Sequence, residues 1–213
     1  MRFDELLAIV ADEPVFETGL LLAGDRDPGD VRRQLSRWVA SGRLYRLRRG
    51  LYAPAPPYRK VRPHPFLVAN HLQRGSYVSL QSALAHYGLI PEHVPVTTSV
   101  GPGGPRRWET PIGCFEYRRL APALISGYHH AEVAAGQQAF VALPEKALLD
   151  LVYLVPGADR RSYLRELRLQ HLETLDLAVL TNLAEATSKP KLRRAAARVA
   201  ALAEAELADY VTL

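Results

Sequence analysis

The sequence predicts an α/β chain of the α+β kind: an N-terminal winged helix-turn-helix, then a mixed α/β domain with a helical C-terminus. Three observations carry this. Three helical patterns and a two-strand hairpin fill the first 55 residues, a proline-rich break follows, and beyond it short strand patterns alternate with helices. The chain divides accordingly into residues 1–55, a linker 56–65 and a second domain 66–213.

Phe3, Leu6, Leu7 and Val10 fall at i, i+3, i+4 and i+7, the apolar stripe of a helix running to Asp12, which Pro14 ends. Thr18 is placed to cap a short second helix through Ala23, with Gly24 as its stop. The third helix has the clearest signals. Asp27 stands at the N-cap, Pro28 at the first helical position, Asp30 three residues after the cap, and Gly42 just past the end. Val31, Leu35, Trp38 and Val39 form its apolar stripe, leaving Arg32, Arg33, Ser36 and Arg37 on the opposite face. Leu44 to Leu47 and Leu51 to Ala53 read as strands around Arg48-Arg49-Gly50, where glycine supplies the positive φ of a tight hairpin.

Pro54, Pro56, Pro57, Pro63 and Pro65, with Arg59, Lys60 and Arg62 among them, predict a semi-rigid basic linker. The second domain opens with a helical pattern from Phe66 through Leu72. Tyr77-Val78 follows, then a helix from Ser79, its N-cap, to Tyr87, which Gly88 terminates. Val94 to Val100 and Gly113 to Arg118 read as strands flanking the loop Gly101-Pro102-Gly103-Gly104-Pro105. A strand near Gln137 to Ala142 leads into a helix from Pro144 to Leu154. From Arg160 onward the pattern is helical, and Leu192, Val199, Leu202 and Leu207 lie near one face of the last helix.

A composition of 48% hydrophobic and 23% charged residues is that of a globular protein. No apolar run reaches the ~18–20 residues of a membrane span. The opening Met1-Arg2-Phe3-Asp4-Glu5 predicts no signal peptide. A single cysteine, Cys114, excludes an internal disulfide and a cysteine-based zinc cluster, which fits a cytoplasmic setting. Net charge is +5, and its placement says more than its sign. Residues 1–91 hold 13 of the 27 Lys/Arg but 8 of the 22 Asp/Glu, so the whole excess lies there. Between Asp30 and Glu92 no acidic residue occurs, while Arg43, Arg46, Arg48, Arg49, Arg59, Lys60, Arg62 and Arg74 do. Such a stretch is an electrostatic footprint for a polyanion, or else a solvated basic surface.

In a helix-turn-helix the second helix of the pair enters the major groove. This makes Arg32, Arg33, Ser36 and Arg37 the candidates for base edges, since arginine reads guanine O6 and N7 bidentately. Arg43, together with Arg46, Arg48 and Arg49 of the wing, is then a candidate for the backbone or minor groove. Double-stranded DNA is the expected partner, although winged helices also dock proteins. Asp30 is expected to serve the cap and not the groove.

No catalytic constellation, metal site or cofactor site is expected. Glu145, Lys146 and Asp150 invite a nuclease reading, but no strand carries a carboxylate–x–lysine pattern and Gly113 to Arg118 supplies only Glu116. His129-His130 with Glu132 lacks the helical histidine pair of a zinc protease, and His64, His71, His86, His93 and His171 are scattered. Cys114 is expected to be an inert buried thiol. The proline-rich loop 101–105 is no phosphate cradle, though Arg106 and Arg107 beside it can meet nucleic acid or a partner.

Tyr77-Val78-Ser79-Leu80-Gln81-Ser82-Ala83-Leu84 with His86-Tyr87-Gly88-Leu89-Ile90 resembles a segment typical of the AbiEi family. Leu143-Pro144-Glu145-Lys146-Ala147-Leu148-Leu149-Asp150-Leu151 resembles a second, and the hairpin Leu44 to Tyr52 is similar to that family's wing. These are antitoxins and transcriptional regulators of type IV toxin–antitoxin systems. The resemblance implies a winged helix that binds inverted repeats in its own promoter and represses it. It also implies a C-terminal domain that counters a cognate nucleotidyltransferase-like toxin. Read from the residues alone, the two later segments are core-building helices, with Lys146 and Asp150 spaced for an i, i+4 pair worth a few tenths of a kcal/mol. Lys189, Lys191, Arg193, Arg194 and Arg198 form either a second basic surface toward DNA or toxin, or a solvated face balanced by Glu204, Glu206 and Asp209. The competing readings are a plain regulator whose second domain senses a ligand or oligomerises, and a DNA-processing enzyme.

Overall fold

The computed structural model describes residues 1–23 and 26–211, and in the last helix the side chains only to residue 206. Its mixed α/β class and N-terminal helix-turn-helix are those predicted. The first unit runs α1 (Phe3–Val10), β1 (Phe16–Glu17), α2 (Thr18–Leu21), α3 (Pro28–Ala40), β2 (Leu44–Arg48) and β3 (Leu51–Pro54). Only β1 has no signal in the sequence, because two residues are too few to show a period. It pairs with β3 and makes a sheet of order β1-β3-β2.

The apolar stripes close over one core of Phe3, Leu6 and Val10 from α1, Leu21 from α2, Val31, Leu35 and Trp38 from α3, and Leu44 from β2. The carboxylate of Asp27 accepts the Asp30 N–H at 2.7 Å, which caps α3. Gly42 takes φ +70° just beyond it, a turn that costs glycine no Cβ strain. Thr18 behaves otherwise than expected. It is the first residue of α2 and not its cap, and both its N–H (2.9 Å) and its hydroxyl (3.5 Å) donate to the Gly50 carbonyl. The tip of the wing is thereby tied to the start of α2. Gly24, expected to stop α2, lies outside the described residues, as do the side chains of Leu207 and Asp209.

The second unit comprises α4 (Pro65–Leu72), β4 (Tyr77–Val78), α5 (Leu80–His86), β5 (Val96–Gly101), β6 (Arg106–Thr110), β7 (Gly113–Arg119), β8 (Tyr128–Ala134), β9 (Gln137–Ala142), α6 (Pro144–Leu154), α7 (Arg161–Glu166), α8 (Leu177–Ala186) and α9 (Pro190–Val211). Its six strands form one sheet in the order β6-β7-β5-β4-β9-β8. The loop 101–105 does not join two paired strands of a hairpin made by Val94–Val100 and Gly113–Arg118. It leads into β6, which hairpins with β7, and β5 lies parallel to β7. Both overlooked strands, β6 and β8, are sheet edges. Neither buries one face cleanly, so Arg-Arg-Trp-Glu-Thr and Tyr-His-His-Ala-Glu-Val-Ala lack the alternation that reveals a strand.

The proline-rich segment is held to both units. Lys60 pairs with Asp12 of the first unit at 3.2 Å. Buried Gln137, at the start of β9, accepts the His64 N–H at 2.7 Å and donates to the Arg62 carbonyl at 3.0 Å. The wing reaches the second unit directly. Val15, Leu47, Leu51 and Ala53 belong to the same apolar core as Val68, Leu72, Tyr77 and Val100, so the two units share a packed boundary as well as a covalent one.

Candidate nucleic-acid interface

The helix α3 buries Val31, Leu35 and Trp38 and leaves Arg32, Arg33, Ser36 and Arg37 exposed, as its periodicity predicts. The four are not equivalent. Arg33 forms an ion pair with Asp30 one turn back, with two-thirds of each side chain in solvent. Asp30 therefore both donates its N–H to the Asp27 cap and offsets one arginine of the exposed set. A pair this exposed is worth under ~1 kcal/mol, so Arg33 can leave it for a phosphate or base. Among the described residues no ion pair engages Arg32 or Arg37.

Arg43, Arg46 and Arg49 are also exposed. The Arg43 guanidinium lies 5.2 Å from the centre of the Phe3 ring, which itself meets Trp38 and Tyr58 edge-on. Arg49 stands beside Gly50 (φ +81°) at the tip of the wing.

Arg48 does something else. Its guanidinium bonds the His71 carbonyl at the end of α4 (3.0 and 3.2 Å) and the Glu17 carboxylate (3.1 Å). Glu17 also takes Arg74 at 2.6 Å. Three-quarters of the Arg48 side chain is out of solvent, so it fastens the wing to the second unit. The His71 ring sits at the same boundary, where burial holds its imidazole below the usual histidine range and Glu17 pulls the other way. Glu17, Arg48, His71 and Arg74 are drawn from three separated stretches, and nothing in their spacing announces the cluster. Arg48→Ala is expected to cost about 1–3 kcal/mol, since it leaves a carbonyl and a half-buried carboxylate short of a donor. Urea unfolding checks this, and a midpoint unchanged from the parent would remove Arg48 from the junction.

The C-terminal basic cluster is divided in the same way. Lys191 donates to the Val155 carbonyl at 2.6 Å, Arg194 pairs with Asp159 at 2.9 Å, and Arg198 donates to the Asp159 carbonyl. Three of the five thus tie α9 to the chain between α6 and α7, while Lys189 and Arg193 face solvent. The carboxylate that pairs with Arg194 is Asp159, and among the described residues neither Glu204 nor Glu206 pairs with the cluster.

The two later segments that carry the family resemblance meet in the core. Asp150 of α6, 1% exposed, accepts from Tyr77 (3.0 Å) and Ser79 (2.8 Å) and pairs with Lys146. Burial raises the Asp150 carboxyl above the usual range, against the opposing pull of Lys146, Ser79 and Tyr77. The same burial, reinforced by Asp150, raises the Tyr77 phenol. Two expectations change. The Lys146–Asp150 pair is not a surface i, i+4 bridge, and the Ser79 hydroxyl bonds Asp150 instead of capping α5. Glu145 is also buried and accepts the Asp176 N–H at 2.8 Å. It points to another part of the core and does not converge with Asp150. The cavity beside Lys146 and Asp150 measures only about 10 Å³, too little for a substrate. Cys114 lies half-buried on β7, less enclosed than expected.

Three helices and a short three-stranded sheet whose β2–β3 hairpin is the wing, with arginines along the free face of the third helix, define a winged helix-turn-helix. Residues 24–55, the third helix and the wing, match the model of a family described as transcriptional regulator, AbiEi antitoxin. This is the family that the hairpin resembles; the match ends before the two later segments, and it supports a regulator's role for the chain. No curated protein matches it. Among the described residues, no helix is long and apolar enough to cross a membrane.

Proposed function

We propose that this chain is the DNA-binding antitoxin of a type IV toxin–antitoxin operon, repressing its own promoter and countering a nucleotidyltransferase-like toxin. The observation that carries the DNA reading is the outer face of α3, where Arg32, Ser36 and Arg37 are exposed on a helix held rigidly by its cap and its core. Within this reading Arg32, Arg33, Ser36 and Arg37 meet base edges and adjoining phosphates. Arg43, Arg46 and Arg49 supply backbone contacts. Arg48 supports the wing from behind.

Antitoxicity is assigned to the second unit. Because that unit shares a packed boundary with the wing, it is best tested in the full chain. Coexpression of the full chain with a cognate nucleotidyltransferase-like toxin is expected to restore growth. Arg32→Ala with Arg37→Ala is expected to derepress a promoter reporter and leave rescue intact. If that double variant still repressed like the parent, the recognition-helix assignment would fall. Loss of rescue along with repression would put antitoxicity in DNA binding itself. A nuclease test built on Glu145 or Asp150 would be uninformative, since both are core residues and their loss reports unfolding.

A further inference from the structure

We propose that two copies of this chain associate through the outer edge of β8, joining their sheets antiparallel about Ala131. Strand β8 ends the six-stranded sheet, and among the described residues only β9 pairs with it. The direction of its free hydrogen-bonding groups follows from β9. Asn70 brackets the main chain of Phe140, accepting its N–H at 2.6 Å and donating to its carbonyl at 3.5 Å, and donates also to Ser76 just before β4. The polar groups of Phe140 therefore point toward β4, away from β8. In an antiparallel ladder, bonded and non-bonded pairs alternate. His130 is the register partner of Phe140, so it turns its own N–H and C=O outward. The bond from the Leu143 N–H to the Gly127 carbonyl sets the same alternation from the other end of the strand. Tyr128 and Glu132, two residues either side, share the outward direction.

An open edge of this kind accepts another strand unless something blocks it. The opposite edge, β6, carries Arg106, Arg107 and Glu109, with Arg107 already paired to Glu109. On β8 the exposed side chains suit a second copy of itself. An antiparallel pairing centred on Ala131 sets His130 of one copy opposite Glu132 of the other, twice, in the hydrogen-bonded positions that β8 leaves free. An imidazole N–H there meets a carboxylate on the neighbouring strand. Shifting the centre to His130 would set imidazole against imidazole. Beside this pairing, Tyr128 and Phe140 are 40% and 44% exposed, two of the four large apolar side chains left most open among the described residues. They pack edge-on at 5.9 Å, and His130 lies 4.8 Å from the Phe140 ring, so each copy brings a preformed aromatic face to the same side of the joined sheet. The bulge between Glu132 and Ala134 ends the shared ladder just past Glu132.

The interface does not depend on the DNA reading, and its test measures mass alone. In sedimentation velocity over a concentration series, the full chain is expected to pass from one to two copies. Glu132→Lys, which sets lysine opposite His130, and His130→Glu, which sets carboxylate against carboxylate, are each expected to stay monomeric. The double swap H130E/E132K restores complementarity and is expected to regain the dimer. Glu132 also accepts the Gly136 N–H at 3.2 Å. Should E132K unfold by circular dichroism, His130→Pro reads the same edge, because it removes an outward N–H and leaves the β8–β9 ladder whole. A parent that stays monomeric throughout, a dimer indifferent to H130E and H130P, or a double swap that fails to reassociate would each overturn the proposal.

Discussion

Asp150→Ala is expected to destabilise the folded chain by about 3–5 kcal/mol, the cost of breaking a buried ion pair by removing one partner. The side chain is enclosed, and its loss leaves the Lys146 ammonium, the Tyr77 phenol and the Ser79 hydroxyl without their acceptor. Asp150→Asn keeps an oxygen for two donors and removes the charge, so it should fall between the parent and the alanine variant. Lys146→Met combined with Asp150→Leu should recover much of the loss, because exchanging both charges for apolar groups avoids an unpaired buried ion. Urea denaturation followed by circular dichroism measures all three. An alanine variant less than about 1 kcal/mol below the parent would show that the pair is solvated, and would return Lys146 and Asp150 to the list of groups free for chemistry.

The second large effect falls on DNA. Arg37→Ala is expected to weaken binding to the chain's own promoter by roughly 10-fold or more, as loss of a bidentate base contact of about 1–3 kcal/mol requires. Binding to unrelated duplex should change much less. Arg49→Ala is expected to lower affinity for both DNAs alike and to reduce the slope of log K against log salt by about one unit. Arg48→Ala should leave that slope in place, because its guanidinium faces Glu17 and His71. A mobility-shift titration at two salt concentrations separates the three. Equal losses on specific and unrelated DNA for Arg37→Ala would move that residue from reading sequence to holding phosphate.

Comparison of Arg48 with Arg49 shows why the interface was only partly legible in the sequence. The two are neighbours in a hairpin, and hairpin signals are local, so the wing could be located from Gly50 and its flanking strands. What each guanidinium meets depends on Glu17 and on the end of α4, 31 and 23 residues away respectively. The C-terminal arginines follow the same rule. Their helical spacing is plain, yet Asp159 claims Arg194 and Arg198 from 35 and 39 residues upstream. The strands β6 and β8 escaped notice because a strand is recognised by one buried face, and a sheet edge need not have one.

The sequence by itself determined the order of helices and wing, the cap and stop of α3, the arginine face of that helix, and the confinement of excess positive charge to the first 91 residues. Those features rest on period, caps and composition, each set within a few residues of chain. Only the tertiary structure decided which basic groups remain free. It also turned Lys146 and Asp150 from an apparent surface pair into a buried one, and it placed β8 at an open edge. Each of those outcomes depends on side chains brought together from distant positions, and local spacing does not encode such encounters.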